Sequence, residues 1–157
     1  MMNKRKVNAA ILIIGNEILS GRTQDTNTST FATWLNSIGV EVEEVRVIPD
    51  VENTIVETLN LLRLKYDYVF TTGGIGPTHD DITAQSVSKA FGIKYEVHKE
   101  AFKILKEYYQ PGEFNEGRQK MAWMPHNANL ILNPTSGAPG FNVENVYSLP
   151  GVPSILK

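Results

Sequence analysis

The sequence contains no cysteine among its 157 residues. This absence excludes disulfides, thiolate nucleophiles and cysteine-bound zinc, and it suits a reducing compartment. Any chemistry must therefore use oxygen, nitrogen or a metal bound by those atoms.

The chain also lacks a long apolar run and a strong excess of one charge. Its first apolar run, residues 9–14, is too short for a membrane span or a signal-peptide core. Fifteen Lys and Arg against 17 Asp and Glu leave a formal charge of -2, which argues against nucleic acid and acidic membranes as partners. We therefore expect a cytoplasmic protein without nucleic-acid or membrane partners.

The length favours one compact domain over residues 1–157, with the basic residues 1–7 flexible. A chain of this size buries roughly 70% of its unfolded surface, so 41% hydrophobic residues suffice for a core without metal or disulfide support.

Strand-like and helix-like segments alternate along the chain, which predicts an α/β fold. Residues 9–14 are apolar on both faces, as expected of a central strand. Residues 40–48 form a second strand nearer an edge, and their alternation slips at Glu43 and Glu44. Residues 68–71 form the third strand. Amphipathic helices connect these strands.

The second half of the chain is less regular, but turn residues still divide it. Short strands are predicted at residues 93–97, 128–132 and 145–149. Residues 115–124 are predicted to form a short helix that ends at Pro125.

Polar and glycine-rich loops follow the predicted strands at their carboxyl ends. In open parallel sheets, ligands bind along this rim because loops and helix N-termini meet there. If the strands are parallel, five loops share one rim, and the sequence predicts a single site. These loops are residues 15–17, Asp50, and residues 73–81, 136–140 and 150–151.

The loop of residues 73–81 is the strongest local signal. Gly73, Gly74 and Gly76 let backbone N–H groups approach an anion, and the following helix adds its positive end. It is not a Walker A loop, because no Gly-Lys-Ser/Thr follows, and it is not a dinucleotide fingerprint, because His79 stands where a third glycine is needed. The loop predicts a phosphate site.

Carboxylates beside this loop predict a divalent cation. Asp80 and Asp81 would repel a phosphate unless a cation such as Mg²⁺ lay between them. The alternative is that this Asp pair caps the helix and that Asp50 caps the helix after the second strand. Glu17 is the better functional candidate, since an acidic group directly after a buried strand is costly unless it is paired or bound.

The two tryptophans, Trp34 and Trp123, are expected in the core. Trp123 has a second interpretation, because its position beside Met124 and Pro125 also suits the border of a ring-binding pocket.

Several ordered motifs resemble those of the MoaB/Mog molybdopterin-binding domain family. The resemblance is greatest to its CinA-like branch, which also includes the N-terminal domain of eukaryotic FAD synthetases. It runs from about residue 9 to the C-terminus. The motifs are residues 15–19, 25–27, 49–50, 72–83, 124–125, 136–141 and 149–153.

The resemblance implies a three-layer α/β/α sandwich with a mostly parallel, mixed central sheet, and a homo-oligomer. Mog-type members bind a pterin phosphate at the Gly-Gly loop and use two aspartates, here Asp50 and Asp81 by motif match, to adenylylate it. CinA-like members are associated instead with metal-dependent hydrolysis of ADP-ribose or FAD-like diphosphates. The ligand is therefore expected to be a small nucleotide or pterin phosphate, with molybdopterin as one candidate.

The leading hypothesis is a metal-dependent pyrophosphohydrolase of a nucleotide-linked diphosphate. The alternatives are a molybdopterin adenylyltransferase and a non-catalytic pterin or nucleotide binding module. The last is motivated by Asn16, which stands where the branch usually has Asp. The predicted catalytic residues are Asp50 and Asp81, the predicted ligands of Mg²⁺ or another divalent cation are Glu17, Asp50 and Asp81, and the predicted phosphate-binding residues are Gly73, Gly74, Gly76, Thr78, Ser136 and Gly137.

Overall fold

A computed structural model describes residues 6–22, 24–25, 27–133 and 137–150. The predicted phosphate ligand Ser136 and residues 1–5 of the segment expected to be flexible lie outside the described residues. Val7, also in that segment, begins the first strand.

The described residues form helices and strands in alternation, as the sequence predicts. In chain order they are β1 (Val7–Ile14), α1 (Asn16–Leu19), α2 (Asn27–Ser37), β2 (Val40–Ile48), α3 (Glu52–Lys65), β3 (Tyr68–Thr72), α4 (Thr83–Phe91), β4 (Tyr95–Val97), α5 (Lys99–Tyr108), α6 (Glu116–Lys120), β5 (Trp123–Pro125), β6 (Asn129–Ile131), β7 (Gly140–Val143) and β8 (Val146–Leu149).

Six of these strands form one mixed sheet in the order β2-β1-β3-β8-β7-β6. The first four are parallel, whereas β7 is antiparallel to both of its neighbours. Since β6 is antiparallel to β7, it runs in the same direction as the parallel strands. The carboxyl ends of β1, β2, β3, β6 and β8 therefore meet at one rim, and the expectation that the five loops share it is confirmed for the parts of them that the structure describes.

Strand β1 lies inside the sheet and β2 at its edge, as their patterns predict. Side chains of β1 alternate between two cores: Leu12 packs with the helices on one face, and Ile11 packs on the other. Among the described residues, strand β2 pairs only with β1. The register of this pair shifts by one residue: Ala9 lies opposite Val42, whereas Ala10 lies opposite Glu44. The slip in the sequence pattern is thus a β-bulge.

Two segments differ from the sequence prediction. Strand β7 is not among the predicted strands, and its first residue, Gly140, falls in the predicted loop of residues 136–140. The helix predicted over residues 115–124 ends at Lys120, and Trp123 instead begins β5, which pairs with β4 in a separate two-stranded sheet. Pairing with a distant strand overrides the local helical pattern there.

Helices cover both faces of the main sheet, giving the three-layer α/β/α arrangement. Helices α3 and α4 bury Ile55, Leu59 and Val87 completely on one face. Helix α2 places Phe31 and Leu35 against the other.

The two tryptophans do not lie in the core, contrary to expectation. Trp34 is 40% exposed and Trp123 is 41% exposed. Trp34 lines an apolar groove on the α2 side of the sheet together with Tyr68 and Tyr147. Among the described residues, no helix combines the length and apolarity that crossing a membrane requires.

Candidate functional site

The loops after β1 and β2 are joined at the rim by a reciprocal pair of hydrogen bonds. The Asn16 backbone N–H donates to Asp50 Oδ2 over 3.2 Å, and the Asp50 backbone N–H donates to Asn16 Oδ1 over 3.2 Å. Asp50 does not cap α3, because Val51 holds the cap position without a side-chain hydrogen bond. The capping interpretation of Asp50 is therefore wrong.

The charges of neighbouring acidic side chains affect the Asp50 carboxyl. Partial burial raises the pKa of the Asp50 carboxyl, and the hydrogen bond from the Asn16 backbone lowers it. The charges of Glu17, Asp81 and Asp80 raise it further. This part of the rim consequently carries a negative potential that a cation would relieve.

The glycine loop is fixed by the first residue of α4. Gly73 and Gly74 both have positive φ, at 88° and 70°. A Cβ on Gly73 would collide with the carbonyl of Ile14, and one on Gly74 with the Thr83 hydroxyl. Thr83 donates its hydroxyl to the Gly73 carbonyl (2.9 Å) and its N–H to the Gly74 carbonyl (3.1 Å). Only glycine fits these two positions.

Asp81 turns its carboxylate back into the glycine loop. Its Oδ2 accepts hydrogen bonds from the Thr78 N–H (3.0 Å) and the Thr78 hydroxyl (2.8 Å). A Cβ on Gly76 would lie 2.6 Å from the same oxygen. The carboxylate and the loop thus form one compact unit.

Asp80 points elsewhere. Its side chain is 76% exposed and faces His79, with 3.3 Å between Oδ1 and Nε2. Neither aspartate caps α4, because Ile82 takes the cap position without a side-chain hydrogen bond. The helix-cap alternative for this pair is wrong, and the first turn of α4 faces the rim without a side-chain cap.

Helix α6 packs against the glycine loop from the opposite side. Lys120 donates its ammonium to the Thr78 carbonyl over 2.6 Å. The approach is close, since a Cβ on Gly117 would lie 2.6 Å from the Pro77 carbonyl oxygen. Sequence reasoning missed both residues, because 42 positions separate Lys120 from Thr78 and no local pattern links them.

A narrow cleft runs between the loop and this opposite wall. It has only about 20 Å³ of space for water-sized molecules. Burial raises the pKa of the Tyr95 phenol above its ordinary value. The cleft is lined by Gly74, Ile75, Gly76, Asp81, Ala84, Tyr95, Lys120, Met121, Trp123, Met124, Pro139 and Phe141.

The loop after β6 reaches the cleft through Pro139 and not through the predicted ligand Gly137. Gly137 does not line this cleft; a Cβ on it would lie 2.7 Å from the ring of Tyr108 in α5. Pro139 of the same loop does reach the cleft. Of the predicted phosphate ligands, the structure places Gly74 and Gly76 in the cleft wall and Gly73 and Thr78 beside them.

Comparison with known proteins identifies the family. The sequence model of a family described as a probable molybdopterin binding domain matches residues 10–157. The chain belongs to this family. It is 42% identical over 155 residues to a protein of Pyrobaculum calidifontis, covering 95% of this chain and 59% of the relative. It is 39% identical over 150 residues to a CinA-like protein of Geotalea uraniireducens, covering 92% of this chain and 36% of that protein.

Solved structures of the family place the domain in its CinA-like branch. The crystal structure of CinA from Thermoplasma acidophilum, a protein of unknown function, superimposes with a TM-score of 0.87 at 34% identity, over 93% of this chain and 89% of that one. MoaB from Thermus thermophilus shares the fold, with a TM-score of 0.62 at 21% identity, over 94% and 82% of the two chains. The domain spans about three fifths of the Pyrobaculum relative and about a third of the Geotalea relative.

The sequence predicts a divalent cation at this rim, and the acidic residues would suit one only together with a ligand. Among the described residues, no three His, Asp or Glu side chains form a group that would hold a metal ion by themselves. The predicted ligands Glu17, Asp50 and Asp81 are therefore not a preformed metal cage. Mg²⁺ commonly binds through one or two carboxylates plus phosphate oxygens, and such a shared site suits these carboxylates beside a phosphate loop.

Proposed function

We propose that this CinA-like domain hydrolyses a nucleotide-linked diphosphate such as ADP-ribose, with the help of a divalent cation. The observation that carries the proposal is the Asp81 carboxylate, which is held on the glycine loop and contributes to the negative potential at Asp50. An anion-binding loop and an acidic cluster thus adjoin along one rim.

The glycine loop is suited to hold the phosphates. Its backbone is fixed by Thr83, and the uncapped first turn of α4 adds a partial positive charge. The Lys120 ammonium lines the same cleft and supplies a full positive charge. Together these groups would offset the charge of a diphosphate.

The acidic residues would bind the cation and accept a proton from the attacking water. Glu17 and Asp81, with phosphate oxygens of the ligand, would hold the cation, which would polarise the phosphorus and make water more acidic. Asp50, whose carboxylate is oriented by the hydrogen bond from the Asn16 backbone N–H, would accept the proton of the attacking water.

The reaction is a single displacement at phosphorus. The water oxygen bonds to the phosphorus on the AMP side, and the bridging P–O bond breaks with its electron pair leaving on the other phosphate. Asp50 accepts the proton of the attacking water. The products from ADP-ribose are AMP and ribose 5-phosphate, which balances the atoms of substrate and water.

The test is release of AMP from ADP-ribose or FAD by the purified protein with Mg²⁺, Mn²⁺ or Co²⁺, followed by chromatography. We expect turnover that requires a cation and is strongly reduced in Asp81→Asn. Absence of AMP with every metal would refute hydrolysis. Transfer of AMP from ATP to a pterin phosphate would support adenylyl transfer instead, and nucleotide binding without turnover would support a binding module.

The predicted homo-oligomer is a separate proposal, and sedimentation of the purified protein tests it.

A further inference from the structure

Trp123 is an exposed aromatic residue at the candidate site. It begins β5, three residues after Lys120, and lines the same cleft as Gly76 and Asp81. Its indole is 41% exposed, although its neighbour Met124 is buried. A large aromatic surface left open beside an anion-binding loop is a feature of sites that bind planar rings.

The indole is held in place from behind. The Tyr95 ring lies 5.5 Å from it between centroids, at an interplanar angle of 46°. Backbone pairing of β4 with β5 places Val97 opposite Trp123 and Tyr95 opposite Pro125. The two-stranded sheet therefore fixes the position of the aromatic pair relative to the glycine loop.

We propose that Trp123 is the platform on which the planar ring of the bound phosphate ester stacks. The inference rests on the proposed phosphate site. The cleft has about 20 Å³ of free space, too little for a ring, so the ring would lie against the exposed indole surface while the phosphate occupies the loop. Adenine and pterin are both flat heteroaromatic rings that such a surface accepts.

The chain offers a direct optical test because it has two tryptophans. Trp34 belongs to α2 and lines the apolar groove on that side of the sheet, among residues that do not line the cleft. The variant Trp34→Phe leaves Trp123 as the only indole, and Trp123→Phe leaves Trp34 as the matched control. Titrations with Mg²⁺ present still measure binding independently of turnover, because AMP, ribose 5-phosphate and a pterin phosphate contain no diphosphate bond to hydrolyse.

The ligands compared are AMP and ribose 5-phosphate, which differ by the adenine ring, and a pterin phosphate. In Trp34→Phe we expect fluorescence quenching by AMP or the pterin phosphate and none by ribose 5-phosphate. In Trp123→Phe the remaining fluorescence should not change. The ring that quenches at the lower concentration identifies the ligand class.

Calorimetry on Trp123→Leu completes the test. Base–aromatic stacking predicts that this variant binds the ring-bearing ligand about 10-fold more weakly and ribose 5-phosphate as the parent does. Equal loss for both ligands, unchanged binding of AMP and pterin phosphate, or no quenching by either would overturn the inference. Quenching without hydrolysis would support the platform while refuting the proposed reaction. Circular dichroism checks that each variant is folded.

Discussion

The rim has two halves of different construction. The acidic half consists of Glu17 and Asp50 with Asn16, and a single reciprocal pair of hydrogen bonds joins its two loops. The glycine half consists of residues 73–81 with Lys120 and Trp123, and it is packed so closely that added Cβ atoms would collide with it.

The two halves differ in a way that suits different roles in the proposed reaction. The closely packed glycine half contains the Lys120 ammonium and the Trp123 indole, which in the proposed function would hold the phosphate and the ring. The acidic half has proton acceptors whose charges oppose one another. Asp81 belongs to the glycine half by its contacts and acts on the acidic half by its charge.

Gly73→Ala should break the glycine half and have the largest effect. The new Cβ would collide with the Ile14 carbonyl and would require an alanine at φ 88°. We expect the free energy of unfolding to fall by about 3 kcal/mol or more, with loss of ligand binding. Urea denaturation measures the first effect. The matched control is Gly112→Ala, where φ is 86° but nothing lies within 4 Å, and it should cost only about 1–2 kcal/mol. Equal costs would show that the close approach at Gly73 does not constrain the loop.

Asp81→Asn tests whether the two halves meet at this carboxylate. We expect metal-dependent turnover to fall by about 100-fold or more, because a charge beside the bound phosphate and cation is lost. The fold should survive, since an amide oxygen still accepts from Thr78. Asp80→Asn is the control and should lose clearly less, because its side chain is 76% exposed. An equal or larger loss in Asp80→Asn would show that the other carboxylate serves the site.

Lys120→Met removes the full positive charge from the cleft. We expect about 10-fold weaker binding of ribose 5-phosphate, measured by calorimetry at low salt, and a smaller dependence of affinity on salt. Lys120→Arg keeps the charge and should recover most of the affinity. If the Met and Arg variants bind equally well, the charge of Lys120 does not contribute to phosphate binding.

Asp50→Asn tests how the charge of the acidic half affects the free energy of unfolding at different pH values. The raised pKa means that the folded protein holds the Asp50 proton more tightly than the unfolded chain, so the ionised carboxylate destabilises the fold at neutral pH. We expect the variant to be more stable at pH 7 by less than about 1 kcal/mol, because the group is partly solvated. The gain should shrink as pH falls through the raised pKa. Urea titrations at several pH values measure it, and a gain independent of pH would refute the charge explanation.

The position of the acidic half could be predicted from the sequence, whereas the opposite wall of the cleft could not. Glu17 and Asp50 each lie within three residues of a strand's carboxyl end, so the rule for parallel sheets places them on the rim. The sequence did not predict that Lys120 and Trp123 line the same wall. A helix was predicted over residues 115–124, whereas a strand begins at Trp123. That strand exists through pairing with β4, a contact between distant segments that no local pattern records.

The sequence by itself determined the α/β class, the parallel core strands and the glycine loop. These follow from local physics: hydrophobic periodicity, and positive φ at Gly73 and Gly74, which side chains resist. The motif match selects Asp81, and the hydrogen bonds from Thr78 agree with it, since its carboxylate turns into the loop. Only the tertiary structure decided that Asp50 bonds Asn16 instead of capping α3 and that Lys120 and Trp123 form the facing wall. Each of these arrangements depends on a contact with a residue that is distant in the sequence, and local sequence patterns do not record such contacts.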